Sequence, residues 1–259
     1  MDRHGYVADL RDNLFQPLSA ETERDFRRGS GGELEDAQDG RQAKMRALHS
    51  SSALASNVFD YWRNGRMEDL RKALDLPAPV EHLRFEAQFP TGLRGKPPNL
   101  DVGLFLKDRS VWAIESKFTE PYCSAKKRGA LKGKYFPGGK PIWDARGLPR
   151  CARLAAGLQS GHITFHRLDA VQLLKHALGL RHTCGERFTL LYLYVHVAGT
   201  VGEEHVEELS RFAPAVAGDF EFVTMTYTEL LRRLRALTGS GEDSYFHYLG
   251  DRYPVSPVP

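Results

Sequence analysis

Residues 98–106 and 111–118 are two apolar runs on either side of Lys107-Asp108-Arg109-Ser110, and each carries ionisable side chains where a buried strand accommodates them least. Pro98-Asn99-Leu100-Asp101-Val102-Gly103-Leu104-Phe105-Leu106 reads as a half-buried strand, and Val111-Trp112-Ala113-Ile114-Glu115-Ser116-Lys117-Phe118 as a second. The polar residues between them make a turn, so the simplest structure is a β-hairpin. A two-residue period puts Glu115 and Lys117 on one face, about 7 Å apart along the chain. With a three-residue loop, Leu106 pairs with Ser110 and Asp101 falls across from Glu115, with Cβ atoms on the order of 5 Å apart. Carboxylates about 4 Å apart repel by roughly 1 kcal/mol in bulk water and by about 4 kcal/mol at the effective dielectric of a protein site. Lys117 supplies one compensating charge, and a divalent cation would supply two.

Carboxylate oxygens, completed by the oxygens of a phosphate, suit Mg²⁺ (with Mn²⁺ as a substitute) better than zinc. The corresponding chemistry is phosphodiester hydrolysis, with Asp101 and Glu115 holding the metal and Lys117 orienting the attacking water and steadying the developing negative charge. The competing reading is an acid pair and a lysine forming a salt bridge on an edge strand.

At these residues the chain resembles the PD-(D/E)xK nuclease superfamily, the restriction endonuclease-like group, whose motif is an Asp followed after a hairpin by (Asp/Glu)-x-Lys. Here the pattern is Asp101 and Glu115-Ser116-Lys117. The block from Lys44-Met45-Arg46 through Ser56-Asn57-Val58-Phe59, the segment Glu115-Ser116-Lys117-Phe118-Thr119-Glu120-Pro121-Tyr122 and Gln172-Leu173-Leu174-Lys175-His176 are similar to a bacterial branch of restriction endonuclease-like proteins, over about residues 32–253. The resemblance implies an α/β fold with a mixed central β-sheet flanked by helices, a Mg²⁺-dependent nuclease acting on nucleic acid, most often DNA, and a homodimer as in related nucleases. It also implies that Gln172, on a helix after the two strands, approaches the site. The alternatives are a nuclease-fold protein that binds nucleic acid without cutting it, and an interaction module whose acid pair is structural.

Many families in this group carry a further acid on the first helix, but residues 41–62, read here as that helix, hold only Asp60. Glu86 is the better candidate for a third metal-binding carboxylate. In His82-Leu83-Arg84-Phe85-Glu86-Ala87-Gln88-Phe89 the apolar residues alternate, so Glu86 and Gln88 share the opposite face of a strand. On the helix, His49, Ser52, Ser56, Asn57 and Asp60 follow three- and four-residue steps, a polar stripe that suits a support beside the site and equally suits close helix packing. The acids Glu33, Glu35, Asp36 and Asp39 precede it, favourable near a helix N-terminus, with Glu35 a minor candidate as ligand. Around Gln172, Leu168, Val171, Leu174, Ala177 and Leu178 form a buried stripe ended by Gly179, which places His176 on the helix surface.

Basic residues crowd the stretch after the second strand. Lys126, Lys127, Arg128, Lys132 and Lys134 are interleaved with Tyr135 and Phe136 in a Gly- and Pro-rich segment that reads as a long loop. Phosphate contacts with aromatic stacking are its functional reading, and a solvated insertion its bland one. A net charge of +3 is compatible with nucleic acid. No apolar run nears eighteen residues and the N-terminus lacks a hydrophobic signal core, so a cytoplasmic protein without membrane contact is expected, in a bacterial cell as the resemblance implies. Three cysteines with no CxxC pair give neither a disulfide framework nor a strong zinc motif. Beyond residue 185, strands at 188–197 and 220–225 alternate with helices at 203–212 and 228–237, an α/β pattern. With 259 residues, one large domain over residues 32–253 is expected, flanked by a loosely ordered segment 1–31 and a Pro-rich tail 254–259.

Overall fold

The hairpin of residues 98–118 lies at the heart of a five-stranded mixed sheet. The computed structural model describes residue 2 and residues 4–29, 32–37, 39–123 and 131–254. Strands β1 (Val80–Gln88), β2 (Asn99–Leu106), β3 (Val111–Lys117), β4 (Phe188–Tyr194) and β5 (Glu221–Thr226) stand in sequence order. The pairings β1–β2 and β2–β3 are antiparallel, and β3–β4 and β4–β5 are parallel. Parallel neighbours require crossovers, and helices supply them. Between β3 and β4 run α4 (Ile142–Ala145), α5 (Pro149–Ser160) and α6 (Ala170–Cys184), and between β4 and β5 runs α7 (Thr200–Val216). The opposite face carries α1 (Ala20–Arg28), α2 (Ser51–Arg63), α3 (Met67–Ala73), α8 (Tyr227–Thr238) and α9 (Asp243–Arg252). Each face therefore has its own apolar core, one built on Phe59, Trp62, Ile114 and Leu193, the other on Trp143, Leu174, Leu190 and Phe212.

Register follows the expected count. The Leu106 amide donates to the Ser110 carbonyl at 2.9 Å, and Val102 pairs with Ile114, so the next step brings Asp101 level with Glu115. In β1, Phe85 pairs with Val102 and Ala87 with Leu100, which leaves Glu86 level with Asp101. One correction applies to β1. Leu83 and Phe85 belong to one core and Ala87 and Phe89 to the other, although all four share one parity. Glu86 has a φ of 48°, in the left-handed region where a non-glycine residue is strained, and the strand turns over there. The paired strand does the same, since Leu100 and Val102 lie in different cores on either side of Asp101.

Helix limits differ from expectation where long-range contacts set them. The helix expected over residues 41–62 begins at Ser51, because the Ser50 side chain caps the Ala53 amide at 3.2 Å. Upstream, Val7 N–H donates to Arg46 O and Leu48 N–H to Gly5 O, so this stretch pairs with the N-terminal segment. Gly179 does not end α6, which continues to Cys184. A Cβ at Gly179 would sit 2.2 Å from the Phe89 carbonyl oxygen, so this glycine permits close approach of α6 to the chain leaving β1. Residues 131–148 contain short helical turns with Tyr135 and Trp143 buried, more order than a solvated loop. Arg232, Arg233 and Arg235 on α8 are engaged by Glu229, Asp75 and Asp243.

Residues 13–22, within a segment expected to be loosely ordered, are docked on α2 by Asn57 and Asp60 of the polar stripe. Asn57 Oδ1 accepts from the Phe15 amide at 2.7 Å, and its Nδ2 donates to Asn13 O and Tyr253 OH at 3.0 and 2.8 Å. Asp60 accepts from the Ser19 amide, the Ser19 hydroxyl and the Thr22 hydroxyl. Buried amides and carboxylates with every bond made fix register strongly. Of the Pro-rich tail only Pro254 is described, and 255–259 lie outside the described residues. No helix among the described residues is long and apolar enough to cross a membrane. Replacing Asn57 by Ala strands the Phe15 amide and is expected to cost about 2–4 kcal/mol, read as a lower urea midpoint at unchanged slope. A change below about 0.5 kcal/mol would show that the segment is not held this way.

Candidate active site

A cleft of about 600 Å³ opens where β3 ends and β2 begins. Glu86 from β1, Asp101 from β2, and Glu115 and Lys117 from β3 line it, together with Gln172 and His176 from α6. The sheet supplies the carboxylates because neighbouring strands in register present level positions to the same side. The helix supplies the amide and imidazole because a four-residue step returns to one face. Asp169 caps α6 by accepting the Gln172 amide at 2.8 Å, which anchors the first turn beside the strands.

Glu115 has a nitrogen close to each carboxylate oxygen. The Lys117 ammonium donates to Oε1, and His176 Nε2 lies 3.0 Å from Oε2. Lys117 Nζ also donates to Gln172 Oε1 at 3.1 Å, so Gln172 ties the lysine to the helix. Asp101 Oδ2 accepts the Ser116 backbone amide at 2.7 Å, a bond running from one strand of the hairpin to the other. Ser116 faces the other side, its hydroxyl 2.7 Å from the Tyr227 hydroxyl. The Asn99 amide donates to Glu86 Oε2 at 2.7 Å. This is not the edge-strand salt bridge of the competing sequence reading. β3 is the central strand, and the side chains of Glu115 and Lys117 are 2% and 14% exposed.

The charges are unequally matched. Desolvation opposes ionisation of Glu115, yet Lys117 and His176 outweigh it and hold the carboxyl down at about 2. Lys117 is likewise held charged against desolvation, by Glu115 and Asp101. Asp101 receives the opposite treatment. Enclosure by protein, and then repulsion from Glu115, raise its carboxyl well above the usual range, with Lys117 only partly offsetting them. Burial raises Glu86 as well. Ionised together, three carboxyl groups beside one close ammonium would leave an excess of negative charge, which is why Asp101 resists ionisation next to Glu115. Among the described residues, no three His, Cys, Asp or Glu side chains are gathered into a ready-made metal cage. The donor chemistry still fits a hard dication: carboxylate oxygens without thiolates, in a cleft with room for substrate oxygens, match an ion that takes one or two carboxylates and completes its shell from phosphate and water.

The structure brings Asp101, Glu115, Lys117, Glu86 and Gln172 to one cleft, and other expected residues lie elsewhere. His49, Ser52 and Asn57 do not support the site. His49 is exposed against Tyr6, Ser52 is buried in α2, and Asn57 serves the N-terminal segment. Glu35 is paired with Arg27 at the surface. Lys132 and Lys134 are exposed on the chain that follows β3, whereas Lys126, Lys127 and Arg128 lie outside the described residues. His176, expected on the surface, is buried against Glu115, because α6 packs its Gln172–His176 edge onto the sheet. Glu33, Lys44, Asp169 and Lys175 also line the cleft. Asp169 had a local signal in its capping position three residues before Gln172. Glu33 and Lys44 had none, since long-range docking of the N-terminal segment brings them there.

No curated protein and no solved structure matches this chain. A family model described as Restriction Endonuclease associating with ARP matches residues 2–254, nearly the whole sequence, and the chain belongs to that restriction endonuclease-like family.

Proposed function

We propose that the protein is a metal-dependent nuclease of the PD-(D/E)xK type that hydrolyses phosphodiester bonds in DNA. The observation that carries this reading is the meeting of Asp101, Glu115 and Lys117 from two adjacent strands in one cleft, where Asp101 resists ionisation beside Glu115. Asp101 and Glu115 would hold Mg²⁺ or Mn²⁺, with Glu86 the third carboxylate within the same cleft. When bound, the cation supplies the missing positive charge, polarises the phosphate and acidifies water.

The chain's own groups have separable tasks. Lys117 stays protonated, so it acts as a hydrogen-bond donor and a fixed positive charge that orients the attacking water and stabilises charge growing on the phosphate oxygens. Gln172 holds the ammonium through its Oε1. His176 is buried beside the second oxygen of Glu115 and closes that side of the carboxylate to water. The Ser116 amide fixes Asp101 through Oδ2, and Oδ1 has no hydrogen-bond partner among the described residues.

Plasmid and linear DNA incubated with Mg²⁺, Mn²⁺ or EDTA test the reading. Wild type should cut only with metal, and Asp101→Ala and Lys117→Ala should each lose at least about 100-fold in rate while keeping their folded circular dichroism. Equal cutting by all three proteins would remove the assignment and point to a contaminant. Salt-sensitive binding without metal-dependent cutting would favour a non-cleaving nucleic-acid binder.

The electrostatic imbalance gives a second test, independent of activity. In the metal-free protein, Asp101→Asn should raise the melting temperature at alkaline pH, because it removes a buried like charge beside Glu115. A carboxyl whose folded pKa lies above its unfolded one binds its proton more tightly when folded, so stability falls as pH rises between the two values. The advantage of Asn should therefore shrink as pH falls through the raised value. A variant no more stable than wild type at any pH would refute the imbalance.

A further inference from the structure

Among the described residues three lysines line the cleft, and they are not equivalent. Lys44 is paired with Glu33 at 2.8 Å, and Lys117 is occupied by Glu115. Lys175, on α6 three residues after Gln172, makes no hydrogen bond or salt bridge among the described residues, although its side chain is half-buried. Its ammonium lies 5.9 Å from the centre of the Tyr135 ring, and the same ring carries Lys134 Nζ at 5.2 Å. Lys134 also donates to the Arg94 carbonyl at 2.6 Å, which ties the segment after β3 to the β1–β2 loop. Arg94, Lys96, Lys132 and Lys134 are all exposed.

We infer that Lys175 and Lys134, flanking Tyr135, form a basic wall that holds the nucleic-acid backbone on one side of the scissile phosphate. This rests on the nuclease reading of the cleft and adds a direction to it: the strand leaves the carboxylates along α6 towards residues 132–134. A half-buried ammonium with no counter-ion is costly, and a phosphate is a counter-ion that recovers the cost on binding. Burial lowers the Lys175 pKa, with Asp169 opposing and Lys132 and Lys134 adding to the lowering. The opposite signs of the two parts of the cleft explain how one site can favour a polyanion while keeping carboxylates at its reacting end. The aromatic ring supports the lysines and does not stack on bases, because Tyr135 is buried against Trp143.

The experiment measures binding separately from cutting. Fluorescein-labelled duplex and single-stranded oligonucleotides of mixed sequence are titrated with the Asp101→Asn protein in Mg²⁺, by anisotropy, over a series of KCl concentrations. Lys175→Met and Lys134→Met in that background keep the apolar stems. Each should weaken binding and reduce the slope of log affinity against log salt by about 0.9 on duplex or about 0.7 on single strand, the loss of one phosphate contact. Lys72→Met, an exposed lysine on α3 across the sheet, should leave the slope unchanged. A drop in either nucleic-acid arm supports the wall and shows which form it takes. Slopes unchanged for both cleft variants, a drop for Lys72→Met as large as theirs, or no binding by the Asp101→Asn protein overturn it. Metal-dependent cutting by wild type with unchanged slopes would sink this inference alone. Reduced slopes without any cutting would sink only the nuclease reading.

Discussion

Everything at the cleft depends on the pairing of β2 with β3. A slip of one residue would send Asp101 to the far face, where Ser116 meets Tyr227, and would put an uncompensated carboxylate into the apolar core of α2 and α8. Apolar residues on both faces guard against that slip. Val102, Leu104, Trp112 and Ile114 belong to one core, and Val111 and Ala113 to the other, so a slip would exchange side chains fitted to two different cores. The tight turn at residues 107–109, closed between Leu106 and Ser110, sets the count from the other end. Catalytic geometry on the proposed reading is therefore inherited from hydrophobic packing, with the polar bond from Ser116 to Asp101 as a local lock.

That dependence explains what was legible in the sequence. The hairpin is local: its period, its turn and its charged positions all lie within about twenty residues, and counting along it placed Asp101 level with Glu115. Gln172 was legible through the family resemblance, and its place on a helix through apolar spacing. What could not be read came from contacts distant in the chain. Ser50 is an ordinary capping residue, but only the docking of residues 5–7 on 46–48 shows why the helix starts there and not near residue 41. The stripe on α2 was correctly seen as polar and wrongly aimed, since nothing in Asn57 or Asp60 says that their partners are Phe15 and Thr22. His176 was misplaced for a related reason. A helix that packs on a sheet can bury a polar residue wherever the sheet offers it a polar partner, and the Glu115 carboxylate lies 3.0 Å from His176 Nε2.

Glu86 shows a different limit of pattern reading. Strict alternation predicts that Phe85 and Ala87 share a face, and their separation into two cores follows from one residue with a positive φ. Opposite it, Asp101 marks the same reversal in β2. The two strands therefore turn over together at the two positions that bring carboxylates to the cleft. Gly29, whose added Cβ would lie 3.0 Å from the Glu86 side chain, lets α1 end directly against this turn. Backbone strain at a non-glycine residue persists only when its surroundings hold it, and here α1, β2 and the N-terminal segment all do.

The site also carries a cost that the rest of the fold must bear. A buried ion pair adds little net stability, and an excess carboxylate beside it subtracts some. Two large apolar cores, with Asn57 and Asp60 of α2 bonded to the N-terminal segment, provide the surplus that makes such an arrangement tolerable. The docking of the N-terminal segment on α2 also shapes the cleft, because the chain leads on from it to Glu33 and Lys44 at the cleft wall. Loosening it would release stability and reshape one side of the site together. The opposite side is governed by α6, whose close contact with the chain leaving β1 at Gly179 sets how far Gln172, Lys175 and His176 stand from the strands. The cleft is thus held between an N-terminal clamp and a helix seated on a glycine, with the β2–β3 register fixed between them.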